Sequence, residues 1–180
     1  MRQHVNPLSK YFEEIEPIPP LEKIYKNPLL PLHLDIGCAA GDFLFDLAAQ
    51  NKNWNYLGIE IREKLVKNAS VKLLDKRIEN LYFSYGNANN IVQNLSHKFP
   101  FDLLKSISFN FPDPWFKKKH HKRRVIQTKF VNYLSDSINS GSLILIKSDV
   151  KELYDYMEFT VLKSIKFKKL EIETFDYANT

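Results

Sequence analysis

From Leu32 onward, short apolar runs alternate with stretches whose apolar residues recur at helical spacing. The runs LHLDI (32–36), WNYLGIE (54–60), NLYFSY (80–85), LLKSISFNF (103–111), SLILIKS (142–148) and FKKLEIETF (167–175) read as strands. Between them GDFLFDLAAQN, EKLVKNASVKLLDKR, ANNIVQNLSHK, KRRVIQTKFVNYLSDSIN and VKELYDYMEFTVLKS read as helices. In the second of these, Leu65, Ala69, Leu73 and Ile78 are expected to form the buried face. The alternation predicts an α/β protein: an open, mostly parallel, doubly wound sheet with helices on both sides. Residues 1–31 hold six of the nine prolines and read as an N-terminal extension wrapping one domain that spans 32–180.

Composition narrows the class. A chain of 180 residues with 44% hydrophobic and 26% charged residues suits a globular protein with a real core. The single cysteine, Cys38, excludes an intramolecular disulfide and a multi-cysteine zinc site, and fits a cytoplasmic location. No uncharged apolar run approaches the roughly 18 residues of a membrane span, and the start MRQHVNPLSKYFEE has no apolar signal core. Charge is more informative. Lys and Arg number 26 against 21 acids, and seven of the bases fall between Pro114 and Ser135, where there is no Asp or Glu. The other 19 bases face all 21 acids, so one segment makes the chain basic. That points to a polyanionic partner at one place.

The turn after the first strand, LDIGCAAGDFL, lies where doubly wound folds offer backbone N–H groups to a ligand. A dinucleotide fingerprint would need glycines at 37, 39 and 42, but the chain has Gly37, Ala39 and Asp42. This argues against a nicotinamide cofactor, and Asp42 would repel a pyrophosphate. S-adenosylmethionine fits better, because its cationic sulfonium and ammonium tolerate nearby carboxylates. Gly37 and Gly41 shape the turn, and Asp35 is positioned for the methionyl end. Glu60, 23 residues after Gly37, is near the offset at which an acid meets a ribose diol. Asn87 could accept from the adenine amino group while the Ala88 N–H reaches the ring. A plain structural turn is the competing reading, and the placing of Glu60 and Asn87 favours the cofactor. Cys38 reads as a packed thiol.

The fourth strand ends in FNFPDPWFKKKHHKRR. Prolines on both sides hold Asp113 in a fixed direction at the carboxyl end of a central strand. Trp115 and Phe116 offer faces on which a base could stack, and Lys117 to Arg124 offer phosphate contacts. His120 and His121 read as solvated or phosphate-facing, with no metal implied. The competing reading is a proline turn followed by a solvated basic helix start.

Taken in order, LDIGCAAGDFL, YLGIEI, NFPDPWFKKKHHKRRVIQ and LILIKSD resemble the tRNA (guanine-N7-)-methyltransferase family from about Leu32 to Asp149. The resemblance implies a Rossmann-like class I fold, S-adenosylmethionine as cofactor, and methylation of guanine N7 at position 46 in the tRNA variable loop. It implies cofactor contacts from Asp35, Glu60, Asn87 and Asp113, with Asp113 also catalytic. Lys117 and Asp149 would contact the substrate, and Lys119, His120, His121, Lys122, Arg123 and Arg124 the RNA. Three departures stand out. Ala39 replaces a common glycine, which is compatible with φ < 0, and Asn87 replaces a common aspartate. Members also continue to a Thr-x-x-Glu segment and a last strand, whereas this chain stops at Thr180. The expectation is a missing C-terminal strand, an unpaired sheet edge, and a monomer or homodimer. The alternative function is an RNA-binding protein of weak or no activity on the same scaffold.

Overall fold

The computed structural model describes residues 5–13, 18–94 and 101–170. The strands are β1 (Leu32–Ile36), β2 (Asn55–Glu60), β3 (Leu81–Tyr85), β4 (Leu104–Asn110) and β5 (Leu143–Lys147). The helices are α1 (Asp42–Gln50), α2 (Glu63–Lys76), α3 (Ala88–Asn94), α4 (Thr128–Ser137) and α5 (Lys151–Leu162). All neighbouring strands pair in parallel, in the order β3-β2-β1-β4-β5. The winding reverses between β1 and β4, the switch point at which such sheets open a crevice above their carboxyl ends.

Parallel strands covered on both faces are mostly apolar, and one cluster packs on each face of this sheet. Leu44, Phe45 and Ala48 of α1 with Val66 and Ala69 of α2 pack on Tyr56, Leu81 and Phe83. Ile91 and Val92 of α3, Phe130 and Leu134 of α4, and Leu153 and Met157 of α5 pack on Leu34, Ile59, Ile107 and Phe109. Ile18, Leu21 and Tyr25 of the proline-rich segment join this second cluster, and the Tyr25 hydroxyl donates to the Tyr56 carbonyl at 2.9 Å.

The elements depart from expectation in three places. On α2 the buried residues are Val66 and Ala69, while Leu65 is half-buried. Ile78 lies beyond the helix because Arg77 ends it in the left-handed conformation (φ 50°), which breaks the 3.6-residue register. The stretch 122–139 is not one helix: a 3₁₀ segment covers Lys118–Arg123 and α4 begins only at Thr128. The Gln127 side chain donates to the carbonyls of His121 and Arg124, both at 2.9 Å, which a continuing helix would have satisfied with backbone N–H groups. The stretch 167–170 is irregular rather than a strand, and 171–175, like 95–98 of the third helix reading, lies outside the described residues.

Candidate active site

A cleft of roughly 900 Å³ of empty space, part of it open to solvent, lies at the carboxyl ends of the central strands. It brings together Gly37, Glu60, Asn87, Ala88, Asp113, Lys122, Arg123 and Arg124 among the residues singled out from sequence. Asp35, Gly41, Lys117, Lys119, His120, His121 and Asp149 are not among the lining residues. Val5, Pro7 and Leu8 of the N-terminal segment also line it, which nothing in the sequence reading foresaw.

The first turn is more strained than expected. Ala39 has φ 52°, not φ < 0, so an L-residue sits where glycine is at ease. Its N–H donates to Glu60 Oε2 at 2.9 Å, which holds it there. Replacing Ala39 with glycine is therefore expected to stabilise the fold by about 1 kcal/mol, raising the thermal midpoint by roughly 2–4 °C. A lower midpoint in a melting curve would mean that glycine's added chain entropy outweighs the relief of strain.

Glu60 is 2% exposed at the end of β2 and collects four N–H donors. Besides Ala39, they are the Arg62 backbone N–H and Nε, both to Oε1 at 2.9 Å, and Nη2 to Oε2 at 3.1 Å. A carboxylate has about four acceptor positions, so Arg62 takes the places a ribose diol would use. The Arg62 guanidinium is held above its ordinary pKa first by the bond to Glu60, with the charges of Glu60 and Asp113 adding. Asn87 caps α3: its Oδ1 accepts from the Asn89 N–H at 2.9 Å, and its Nδ2 donates to the Pro7 carbonyl at 2.8 Å. Only the amide can make that second bond. The aspartate usual in the resembled family could not donate to Pro7.

Asp113 sits half-buried between Phe111 (φ 51°) and Trp115 (φ 45°), both non-glycine residues in the left-handed region. Strain of this kind persists only where the surroundings over-determine the chain. Arg124, expected from sequence to contact RNA, supplies part of that hold. It is 3% exposed, its Nε donates to the Pro114 carbonyl at 2.9 Å, and its Nη2 reaches Glu152 Oε1 at 3.1 Å. The guanidinium lies 4.7 Å above the Tyr156 ring, and Nη2 is 3.1 Å from His121 Nε2. Arg124 thus ties the Pro-Asp-Pro loop to α5. Lys117, Lys118 and Lys119 are exposed, as is Asp149 just past β5. Trp115 lines the cleft with Arg123 stacked 5.0 Å from its ring and His120 edge-on at 5.8 Å. The His120 pKa is lowered, by desolvation first and then by Arg123 and the neighbouring lysines.

Behind the cleft, burial pushes the Cys38 thiol well up, with Asp35 and Glu60 adding, so it stays a neutral packed group. Burial also raises Asp35 to about 6 against its bonds from Ser108 and Asn110, with the charge of Glu60 adding. Among the described residues no three His, Cys, Asp or Glu are placed to hold a metal, and no helix is long and apolar enough to cross a membrane.

A parallel sheet in this order, opening its crevice at the glycine turn after β1 and the acid ending β2, defines a Rossmann-like class I methyltransferase fold. Precorrin-6y C5,15-methyltransferase from Geobacter metallireducens GS-15 has a similar fold, with a TM-score of 0.55 at 8% identity over 74% of this chain and 61% of its own. The family model described as "Putative methyltransferase" matches residues 30–178. The tRNA (guanine-N(7)-)-methyltransferase of Prochlorococcus marinus subsp. pastoris (strain CCMP1986 / NIES-2087 / MED4) is 63% identical over all of this chain and 86% of its own length. The enzyme of that name from Synechococcus elongatus (strain ATCC 33912 / PCC 7942 / FACHB-805) is 44% identical over 85% of this chain and 72% of its own. The chain belongs to the tRNA (guanine-N(7)-)-methyltransferase family.

Proposed function

We propose that this chain transfers the methyl group of S-adenosylmethionine to N7 of a guanine in tRNA, the guanine at position 46 of the variable loop. The observation that carries the reading is one cleft holding Gly37, Glu60, Asn87 and Asp113, from which the chain runs directly into the exposed lysines 117–119. The donor set fits the cofactor. A Cβ added at Gly37 would meet nothing within 4 Å, which leaves room for a ligand against the backbone. Carboxylates at Asp35 and Glu60 suit a cationic, diol-bearing molecule.

Held there, S-adenosylmethionine would supply an electrophilic sulfonium methyl, which the guanine N7 lone pair would accept while the C–S bonding pair stayed on sulfur. Glu60 accepts from the ribose hydroxyls once Arg62 yields its bonds, and Asn87 and Ala88 meet the adenine edge. Asp113 accepts from the guanine N1–H and amino group and balances the charge growing on the purine. N7 carries no proton, so alignment and charge balance, not base catalysis, are what the loop contributes. Lys117 and Asp149 hold the substrate, and Lys118, Lys119, Lys122 and Arg123 meet phosphates. The guanine leaves its stack to enter the cleft. In this reading residues 1–31 extend a catalytic unit of 32–180, acting as a monomer or homodimer in the cytoplasm.

The direct test is tritium transfer from labelled S-adenosylmethionine. Label should enter unmodified tRNA and be excluded from tRNA already bearing 7-methylguanosine at position 46. Binding of tRNA with no transfer, and no heat on titration with S-adenosylmethionine, would instead favour the RNA-binding alternative. Neutralising Lys117, Lys118 and Lys119 together should weaken binding to all tRNAs alike. Each lost phosphate contact should flatten the slope of log K against log salt by about 0.7–0.9. An unchanged slope would make the three lysines bystanders.

A further inference from the structure

The face of β1 and β4 beneath α1 is polar where a buried parallel sheet should be apolar. His33 and Asp35 alternate along β1, Ser106, Ser108 and Asn110 along β4, and register sets His33 beside Ser106 and Asp35 beside Ser108. His33 is 1% exposed, Asp35 2% and Ser108 0%. Burying such groups is costly unless every one is bonded.

The bonds run one way. Ser108 Oγ donates to Asp35 Oδ1 at 2.5 Å. A hydroxyl has one proton, so His33 Nε2, 3.0 Å from Ser108 Oγ, must be the donor of that pair. Burial lowers His33 to about 3, so the ring is neutral and carries that single proton. Its Nδ1 then accepts from Ser106 Oγ at 2.6 Å. Three donors in series thus point at one carboxylate oxygen, each polarising the next, and Asn110 Nδ2 adds a bond to the same atom at 3.1 Å. Oδ2 receives neither bond. Phe43 of α1 meets the His33 ring edge-on at 6.1 Å and closes the chain from the helix side.

The geometry points to His33 as a positioning residue for cofactor binding: through Ser108 it fixes the Asp35 carboxylate as an oriented acceptor for the ammonium of the methionyl end. This rests on the cofactor reading above. The hydrogen-bond chain holds Oδ1 from within the sheet; Oδ2 is the oxygen assigned to the ligand, one residue before the Ile36–Gly37 turn that lines the cleft. His33 itself touches neither substrate nor cofactor.

The test compares two probes by calorimetry on the full chain: S-adenosylmethionine, and methylthioadenosine, which keeps the adenosine and sulfur but lacks the amino-acid end. His33→Leu is expected to weaken S-adenosylmethionine roughly tenfold, the scale of one hydrogen bond to a charged group. Methylthioadenosine should change less than about twofold, because Glu60 and Asn87 are untouched. His33→Gln keeps an N–H toward Ser108 and should restore most of the affinity. Ser108→Ala breaks the same chain with a smaller change and should give the same split, so the test stands even if His33→Leu does not fold. Equal weakening of both probes, or no weakening of either, would overturn the positioning role. Wild type that binds methylthioadenosine as tightly as S-adenosylmethionine would remove Asp35 from the ammonium site and the proposal with it. Wild type that binds neither probe would overturn the cofactor reading itself.

Discussion

Asp113→Asn is expected to slow single-turnover methylation about 10²–10³-fold, the cost typical of losing one preorganised electrostatic contact, while tRNA binds almost as well. The amide is isosteric, so the Pro112–Pro114 bracket and the left-handed residues at 111 and 115 can stay in place. The lysines at 117–119 and Arg123 are unaffected, and they carry affinity in this reading. What changes is the group facing the purine. A carboxylate accepts with both oxygens, whereas an amide accepts with one and turns an N–H₂ toward the guanine's own donors. It also stops balancing charge as the ring becomes cationic. The variant also removes one of the charges that raise the Arg62 guanidinium. A calorimetric titration with the cofactor alone tells the two effects apart.

The measurement is single-turnover transfer at saturating enzyme beside a filter-binding titration of tRNA. Near-normal turnover would make Asp113 an ordinary turn residue. A joint collapse of rate and RNA affinity would assign the loop a structural task, in line with the anchoring of Pro114 by Arg124.

What the sequence disclosed was set by chain order and periodicity. The five strands from β1 to β5 stand out because each is a short apolar run between turn residues. Gly37, Glu60, Asn87, Ala88 and Asp113 each follow or end a strand, so a parallel sheet delivers them to one end. What stayed hidden depends on side-chain choices between distant segments. Arg124 sits in a run of bases that all read as surface, yet a partner at Glu152 and the ring of Tyr156 draw it inward. Arg62 lies two residues from Glu60, but only its rotamer decides that it fills the acid's acceptor positions. The docking of Pro7 onto Asn87 spans 80 residues and leaves no periodic trace. The polar ladder did leave a signal: H-x-D in LHLDI and S-x-S-x-N in SISFN put polar residues on alternate positions of strands expected to be buried on both faces. Alternation normally marks a solvated face. In a central parallel strand it marks a buried network.

Gly41→Ala is expected to be strongly destabilising on the cofactor side of the sheet. Gly41 precedes α1 with φ 78° and ψ 8°, a conformation that costs an L-residue about 1–2 kcal/mol. Its N–H donates to the Cys38 carbonyl and its own carbonyl accepts the first helical bond from Phe45, both at 2.9 Å, so the backbone cannot turn away. An added Cβ would overlap two ring carbons of Phe83 and come within 3.5 Å of Phe45. Phe83 is buried and tilted against Phe45 at 5.4 Å between centroids, so the ring has nowhere to withdraw. Overpacking of this kind adds about 1–3 kcal/mol. The sum, about 2–5 kcal/mol, should lower the thermal midpoint by roughly 5–15 °C. Gly37→Ala is the matched comparison. It has a similar φ of 81° but open space on the Cβ side, so only the conformational strain of about 1–2 kcal/mol applies, and the new methyl should reduce cofactor affinity instead. Differential scanning calorimetry of the two variants, each with a cofactor titration, separates the terms. Equal losses of stability would show that Phe83 yields to the methyl and that the backbone conformation alone makes position 41 a glycine.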